Sequence, residues 1–331
     1  MASTDKLFAG TIPEIYDRFL VPLIFESYAL DLAQRVAKAG PRRLLETAAG
    51  TGVLTRAIAS RLPADARIVA TDLNQPMLDH ASARQPRDAR IEWKRADALA
   101  LPFEDRSFDA VACQFGAMFF PDKVQGYKEA CRVLKPGGHF FFNVWDRLSE
   151  NEFADTVTDA LATVFPDDPP RFMARIPHGY HDVERIRAEL TTAGFTQIIV
   201  DSVDASSKAA SPRDPAIAYC QGTPLRNEIE ARDASQIEHA TSRAAEALAH
   251  RFGKGARQHA RSRRGLQHVV RRQVGHSLGE IDGIGLEDQR DHEAVVNFGD
   301  RSGEHFVGRL NHRRLHWRPG CLIVSLTGGT P

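Results

Sequence analysis

Among its 331 residues the chain has few tryptophans (3), methionines (4), cysteines (4) and tyrosines (5), and no excess of charge of either sign. With 43 basic and 43 acidic residues, no global field directs it toward nucleic acid or an anionic membrane. No apolar run approaches the roughly 20 residues that span a bilayer. The amino terminus, Met1-Ala2-Ser3-Thr4-Asp5-Lys6, lacks a basic segment followed by an apolar core, so no secretory signal is expected there. Cys113, Cys131, Cys220 and Cys321 lie far apart and form no metal-type pair. A metal is therefore not expected, and a reducing cytoplasm is the expected compartment.

What is present begins at Leu44-Leu45-Glu46-Thr47-Ala48-Ala49-Gly50-Thr51-Gly52. The apolar pair suits the end of a buried strand, and Val53, Leu54, Ala57, Ile58 and Leu62 follow at helical spacing. Strand, tight turn and helix are predicted. Gly50 and Gly52 permit backbone conformations closed to other residues and let a ligand approach the main chain near the free N–H groups of the new helix. A second predicted strand, 67–71, ends at Asp72, twenty residues beyond Gly52, where a carboxylate can accept ribose hydroxyls. A third, 91–94, is followed by Ala96-Asp97-Ala98. Glu46, Asp72 and Asp97 are thus expected at the carboxyl ends of neighbouring parallel strands, where open α/β sheets bind ligands. This rim is acidic. A pyrophosphate needs neutral or positive donors beneath it, whereas a cosubstrate carrying an ammonium and a sulfonium tolerates carboxylates.

On these residues the chain resembles the class I S-adenosylmethionine (SAM)-dependent methyltransferases, particularly the small-molecule group that includes the ubiquinone/menaquinone C-methyltransferases. The first motif of that family, acidic-x-Gly-x-Gly-x-Gly, is similar to residues 46–52 with Ala48 in place of the first glycine. The extra methyl is expected to alter the turn slightly and leave binding intact. The resemblance extends over about two hundred residues: Phe108–Phe115 is similar to the fourth-strand motif, and Arg132–Gly138 to the turn before the fifth strand. It implies that Asp72 binds the ribose and that Asp97, with Ala98 beside it, meets the adenine amino group. It also implies SAM as cofactor and a small-molecule methyl acceptor. A Rossmann-like α/β sheet with helices on both faces is the expected fold.

Residues 12–38 carry apolar positions at helical intervals interrupted by Pro22, which predicts one or two helices capping the site. Tyr16 either reaches the methionine end of SAM, as a tyrosine here often does in the family, or packs as an ordinary amphipathic-helix residue. Met77 touches the ribose or adenine, or belongs to the core. Gln114, just past the fourth strand, is a candidate polar contact to SAM or the acceptor, and Asn143 and Asp146 are expected on the active-site side. Residues 147–182, with paired prolines and clustered aromatics, read as a lid or substrate region. Within it His178, Tyr180 and His181 are general-base candidates, set against a surface loop with capping histidines. Tyr219–Arg226 either adds substrate-side groups or is a helix-break packing motif.

A methyltransferase domain is expected over 1–255 and an atypical arginine-, histidine- and glycine-rich tail over 256–331. After Gly255 an alternating apolar seventh strand should follow. Instead there is Ala256-Arg257-Gln258-His259-Ala260-Arg261-Ser262-Arg263-Arg264, lysine disappears, and seven of the 13 histidines occur. An RNA- or phosphate-binding tail, a small genuine domain and translation in a shifted reading frame all accommodate this change, the last best. The seventh strand is accordingly expected to be missing or aberrant, and the tail irregular or disordered.

SAM-dependent methyl transfer to a small molecule is the function expected. A nicotinamide-dependent oxidoreductase would share Gly50, Gly52 and Asp72, but has Thr55 where its third glycine or alanine belongs and no use for Asp97. A noncatalytic SAM-binding protein is the other alternative. Base methylation of nucleic acid is disfavoured by Cys113-Gln114-Phe115-Gly116 after the fourth strand, where that group has an Asn/Asp-Pro-Pro-aromatic signature.

Overall fold

The structure, a computed structural model, describes residues 5, 7–253, 258–272, 296–299 and 305–308, those after 253 by their backbone. Residues 12–39 form one helical stretch. Helix α1 (Ile12–Ile15) passes into a π-helical segment, Tyr16–Phe25, and then into α2 (Glu26–Ala39). Pro22 does not interrupt it, because proline has no N–H to give an i→i−4 bond and the wider winding accommodates that loss. Gly40 ends α2 in the left-handed conformation, φ 61°.

Strands β1 (Arg43–Glu46), β2 (Arg67–Asp72), β3 (Ile91–Arg95), β4 (Phe108–Gln114) and β5 (Leu134–Trp145) pair in parallel in the order β3-β2-β1-β4-β5. Successive side chains point to opposite faces of a sheet, and both faces are buried along β1, β2, β4 and β5. Leu45, Val69, Val111, Phe140 and Phe142 enter one apolar cluster, while Leu44, Ile68, Ala110, Ala112 and Phe141 enter the other. Helices α2 and α3 (Val53–Ala59) cover the second face with Leu32, Val36, Leu54 and Ile58. Helices α5 (Lys123–Val133) and α8 (Val183–Thr192) supply Tyr127, Ile186 and Leu190 to the first. The remaining helices are α4 (Gln75–Arg84), α6 (Glu152–Val164), α7 (Phe172–Arg175), α9 (Arg213–Gln221), α10 (Leu225–Asp233) and α11 (Ile237–Phe252). Residues 147–182 thus contain a 3-10 turn (Leu148–Glu150) and two α-helices, with Pro166, Pro169 and Pro170 in the link between the α-helices.

Of the two alternatives expected for the seventh strand, missing or aberrant, the first is corrected. Strand β7 (Gln258–Arg272) lies between β5 and β6 (Phe195–Ala209), antiparallel to both. Its sequence lacks the apolar alternation sought for a buried strand, but ladder bonds join main-chain groups, and β5 and β6 each offer an unpaired edge. The chain divides into two compact units, Met1–His276 and Ser277–Pro331. In the second, β8 (Val296–Gly299) pairs antiparallel with β9 (His305–Gly308). Expectations for 273–295, 300–304 and 309–331 lie outside the described residues.

Candidate functional site

The loop from β1 to α3 is suspended between two strands: Thr47 N–H donates to the Ala112 carbonyl and Ala49 N–H to that of Thr71, both at 2.9 Å. Three of its residues have positive φ: Ala48 (53°), Gly50 (56°) and Gly52 (78°). This winding turns the Gly50 N–H onto Asp72 Oδ2, 2.9 Å away. Asp72 Oδ1 accepts from Asn74 N–H at 2.8 Å. The carboxylate is thereby aimed across the end of β2 with lone pairs to spare. Burial raises its pKa, partly offset by the N–H groups of Asn74 and Gly50. Gly52 serves packing, since a Cβ there would lie 2.9 Å from the Trp93 ring.

Above this floor opens a cleft enclosing about 760 Å³, its mouth included. Of the residues expected from sequence, Tyr16, Ala48, Gly50, Asp72, Met77, Asp97, Ala98 and Gln114 share its walls. Asp97 is held by Leu99 N–H at 2.9 Å, and Gln114 donates to the Phe25 carbonyl at 3.0 Å. Glu46 is close behind, buried, with Oε2 accepting from Thr55 Oγ1 at 2.7 Å and Oε1 without a hydrogen-bond partner. Desolvation pushes its pKa up to about 8, against the pull of Thr55 and Arg56. A buried carboxyl with an unmet oxygen, within electrostatic reach of Asp72, suits a cationic ligand and opposes a phosphate.

A second cavity, enclosing about 420 Å³, shares Phe8, Tyr16, Phe115 and Phe119 with the cleft and adds Phe25, Trp145, Phe172, Tyr219 and Thr223 among its walls. Phe115 stands where the two meet, with φ 48°, a conformation rare for a bulky side chain. Its N–H donates to Asn143 Oδ1 at 2.9 Å, and its ring stacks on Trp145 at 3.8 Å and 8°. Fully buried Asn143 therefore acts on the site through Phe115. Sequence reasoning missed Phe8, Phe115, Phe119 and Trp145 as wall residues. The aromatic density of Phe115–Phe120, just after a strand end, was the available signal.

The three general-base candidates are not among the walls of either cavity. His178 is buried, its Nδ1 2.8 Å from the Asp146 carbonyl, and desolvation lowers its pKa to about 4, so it is neutral at pH 7. His181 Nδ1 lies 2.8 Å from the His178 carbonyl. Tyr180 donates to Glu189 and meets the Tyr127 hydroxyl at 3.0 Å; burial is the main cause of its raised pKa. These contacts join the 147–182 region to α5 and α8. By contrast, Tyr219 and Thr223 do reach the second cavity. The carboxylate of Asp146 turns to its own neighbour, the Arg147 N–H.

Comparison with known proteins agrees with this geometry. A family described as a methyltransferase domain matches residues 45–142. The ubiquinone/menaquinone biosynthesis C-methyltransferase UbiE of Francisella philomiragia is 31% identical over 220 residues, covering 59% of this chain and 85% of the relative. The demethylmenaquinone methyltransferase of Deinococcus radiodurans is 37% identical over 168 residues, covering 49% and 65%. The chain spans half or less of the length of two further demethylmenaquinone methyltransferases. Among solved structures, the phosphoethanolamine N-methyltransferase 2 of Haemonchus contortus in complex with SAM is similar in fold, with TM-score 0.52, 18% identity and coverage of 82% of this chain and 60% of that one. The ordered strand-end motifs and the extent of the UbiE match together place the chain in the class I SAM-dependent methyltransferases, in the ubiquinone/menaquinone C-methyltransferase-like group.

Proposed function

We propose that this chain transfers a methyl group from SAM to a small-molecule acceptor, with the cofactor in the cleft and the acceptor in the aromatic cavity. The observation that carries this reading is the meeting of an acidic cleft and an aromatic chamber across shared walls. When bound, SAM supplies an electrophilic methyl on a sulfonium. Asp72 would accept the ribose hydroxyls, Asp97, Ala98 and Met77 would border the adenine, and Tyr16 and Gln114 would lie toward the methionine end. Glu46 would favour the ammonium from behind the loop. The faces of Tyr16, Phe115 and Phe119 attract a cation and exclude water, so the chain's part in the reaction is alignment and desolvation. A base is needed only for an acceptor that must lose a proton before attack.

The names of the relatives make quinone precursors the first acceptors to try. No described helix is long and apolar enough to cross a membrane, and we place the reaction in the cytoplasm with a small molecule, not nucleic acid, as acceptor. Conversion of SAM to S-adenosylhomocysteine across a metabolite panel that includes quinol precursors tests the activity. Tight SAM binding with no turnover on any acceptor would favour a noncatalytic binder. Asp72→Ala is expected to weaken SAM binding by more than about tenfold, as befits loss of hydrogen bonds to a charged group. Titration calorimetry decides it; unchanged affinity in a folded variant would remove Asp72 from the site.

A further inference from the structure

Outside the cleft, the chain buries a carboxylate that the reaction does not use. Asp17 follows Tyr16 on the π-helical segment, and its side chain is only 2% exposed. Two guanidinium groups and an imidazole from two other helices converge on it. Arg84 Nε is 2.9 Å away and His80 Nε2 3.3 Å away, four residues apart on α4; Arg56 Nη2, on α3, is at 3.5 Å. Arg56 also donates to the Thr51 carbonyl at 2.8 Å, so its guanidinium is fixed to the glycine-bearing loop itself. Consecutive residues of a helix project in different directions. Tyr16 accordingly lines the cofactor cleft and the aromatic cavity, while Asp17 lines a separate outer cleft with Arg56, His80 and Arg84. The Tyr16 ring is further braced by stacking on Phe25, centroids 5.0 Å apart, at the other end of the π segment.

We infer that Asp17 is a positioning residue: it clamps the π-helical segment onto α3 and α4 and thereby holds Tyr16 as a wall of the SAM site. This rests on the cofactor reading above. Neutralising a buried carboxylate that faces two arginines leaves their charges uncompensated, whereas an exposed ion pair would be nearly indifferent. The segment it holds would then be free to move away from α4, taking Tyr16 with it.

The test measures SAM affinity and dissociation rate at a temperature well below melting, with apo melting recorded alongside. Wild-type binding is measured first; no binding there would overturn the cofactor reading and the clamp together. Given wild-type binding, Asp17→Asn is expected to raise the Kd for SAM about tenfold or more, mainly through faster dissociation, in a protein still folded by circular dichroism. In a Tyr16→Ala background the same change should add little, because its effect passes through Tyr16. Should Asp17→Asn not fold, Arg84→Gln removes the nearest cation alone and is expected to raise the Kd about threefold, again only when Tyr16 is present. Affinity within twofold of wild type in folded Asp17→Asn, or a loss undiminished in the Tyr16→Ala background, would overturn the clamp while leaving the cofactor reading in place.

Discussion

Ala48 occupies a left-handed conformation, φ 53°, that costs an L-residue roughly 1–2 kcal/mol. That it stands where the family pattern has glycine was legible in the sequence. What makes it tolerable was not: its methyl faces Gly116, sixty-eight residues away, where an added Cβ would come within 2.4 Å of the Ala48 Cβ. Ala48→Gly is expected to stabilise the fold by about 0.5–1 kcal/mol, the relief of strain outweighing the added freedom of the unfolded chain. Urea denaturation measures this; destabilisation would mean that the methyl's packing outweighs the strain. Glu46 gives a second prediction at this scale. Its pKa rises from an ordinary 4.5 to about 8 on folding, with desolvation the cause. Between those values the unfolded chain has released the proton that the folded chain keeps, so this group's contribution to stability falls as pH rises and levels off above about pH 8. A cation in the cleft favours the ionised form, so SAM should stabilise the wild type more at pH 8 than at pH 6. Melting curves with and without SAM at the two pH values test this. The group's pH dependence should vanish in Glu46→Gln; an equal dependence in that variant would assign it elsewhere.

At the scale of elements, the parallel strands were readable because burial on both faces leaves continuous apolar runs, such as Phe140-Phe141-Phe142, beside turn residues. The π-helical segment was not, since Pro22 reads locally as a break and only the surrounding contacts select the wider winding. Strand β7 was hidden for a related reason: its place is set by the two strand edges it joins, and its own side-chain pattern does not announce it. Without it β5 and β6 would both be left as open edges. A chain ending at residue 257 is therefore expected to aggregate or unfold, while one ending at His276 retains all seven strands of the first unit and should keep SAM binding. Size-exclusion chromatography and calorimetry on the two truncations distinguish them. A soluble, SAM-binding chain that stops at 257 would show that β7 contributes little to this sheet.

For the whole molecule, the short-range pattern of the chain was enough to indicate the class of fold and the floor of the candidate site. Glu46, Gly50, Asp72 and Asp97 sit at strand ends, and a strand end followed by a turn is written in adjacent residues. Each such position was recognisable without knowing its neighbours in space. The aromatic chamber was decided otherwise. Its walls come from Phe8, the π segment, the residue after β4, the end of β5, α7 and α9, some of them more than two hundred positions apart in the chain, and no local pattern links them. The same holds for His178 and Tyr180, whose residue types fit general bases but whose partners, the Asp146 carbonyl and Glu189, commit them to packing. It holds also for Asp17, an ordinary acidic residue of a helix until α3 and α4 bring two arginines and a histidine to it. Local sequence specifies backbone geometry through propensity and periodicity; desolvation and counter-charge arise only when distant segments pack, and these give the buried groups their roles.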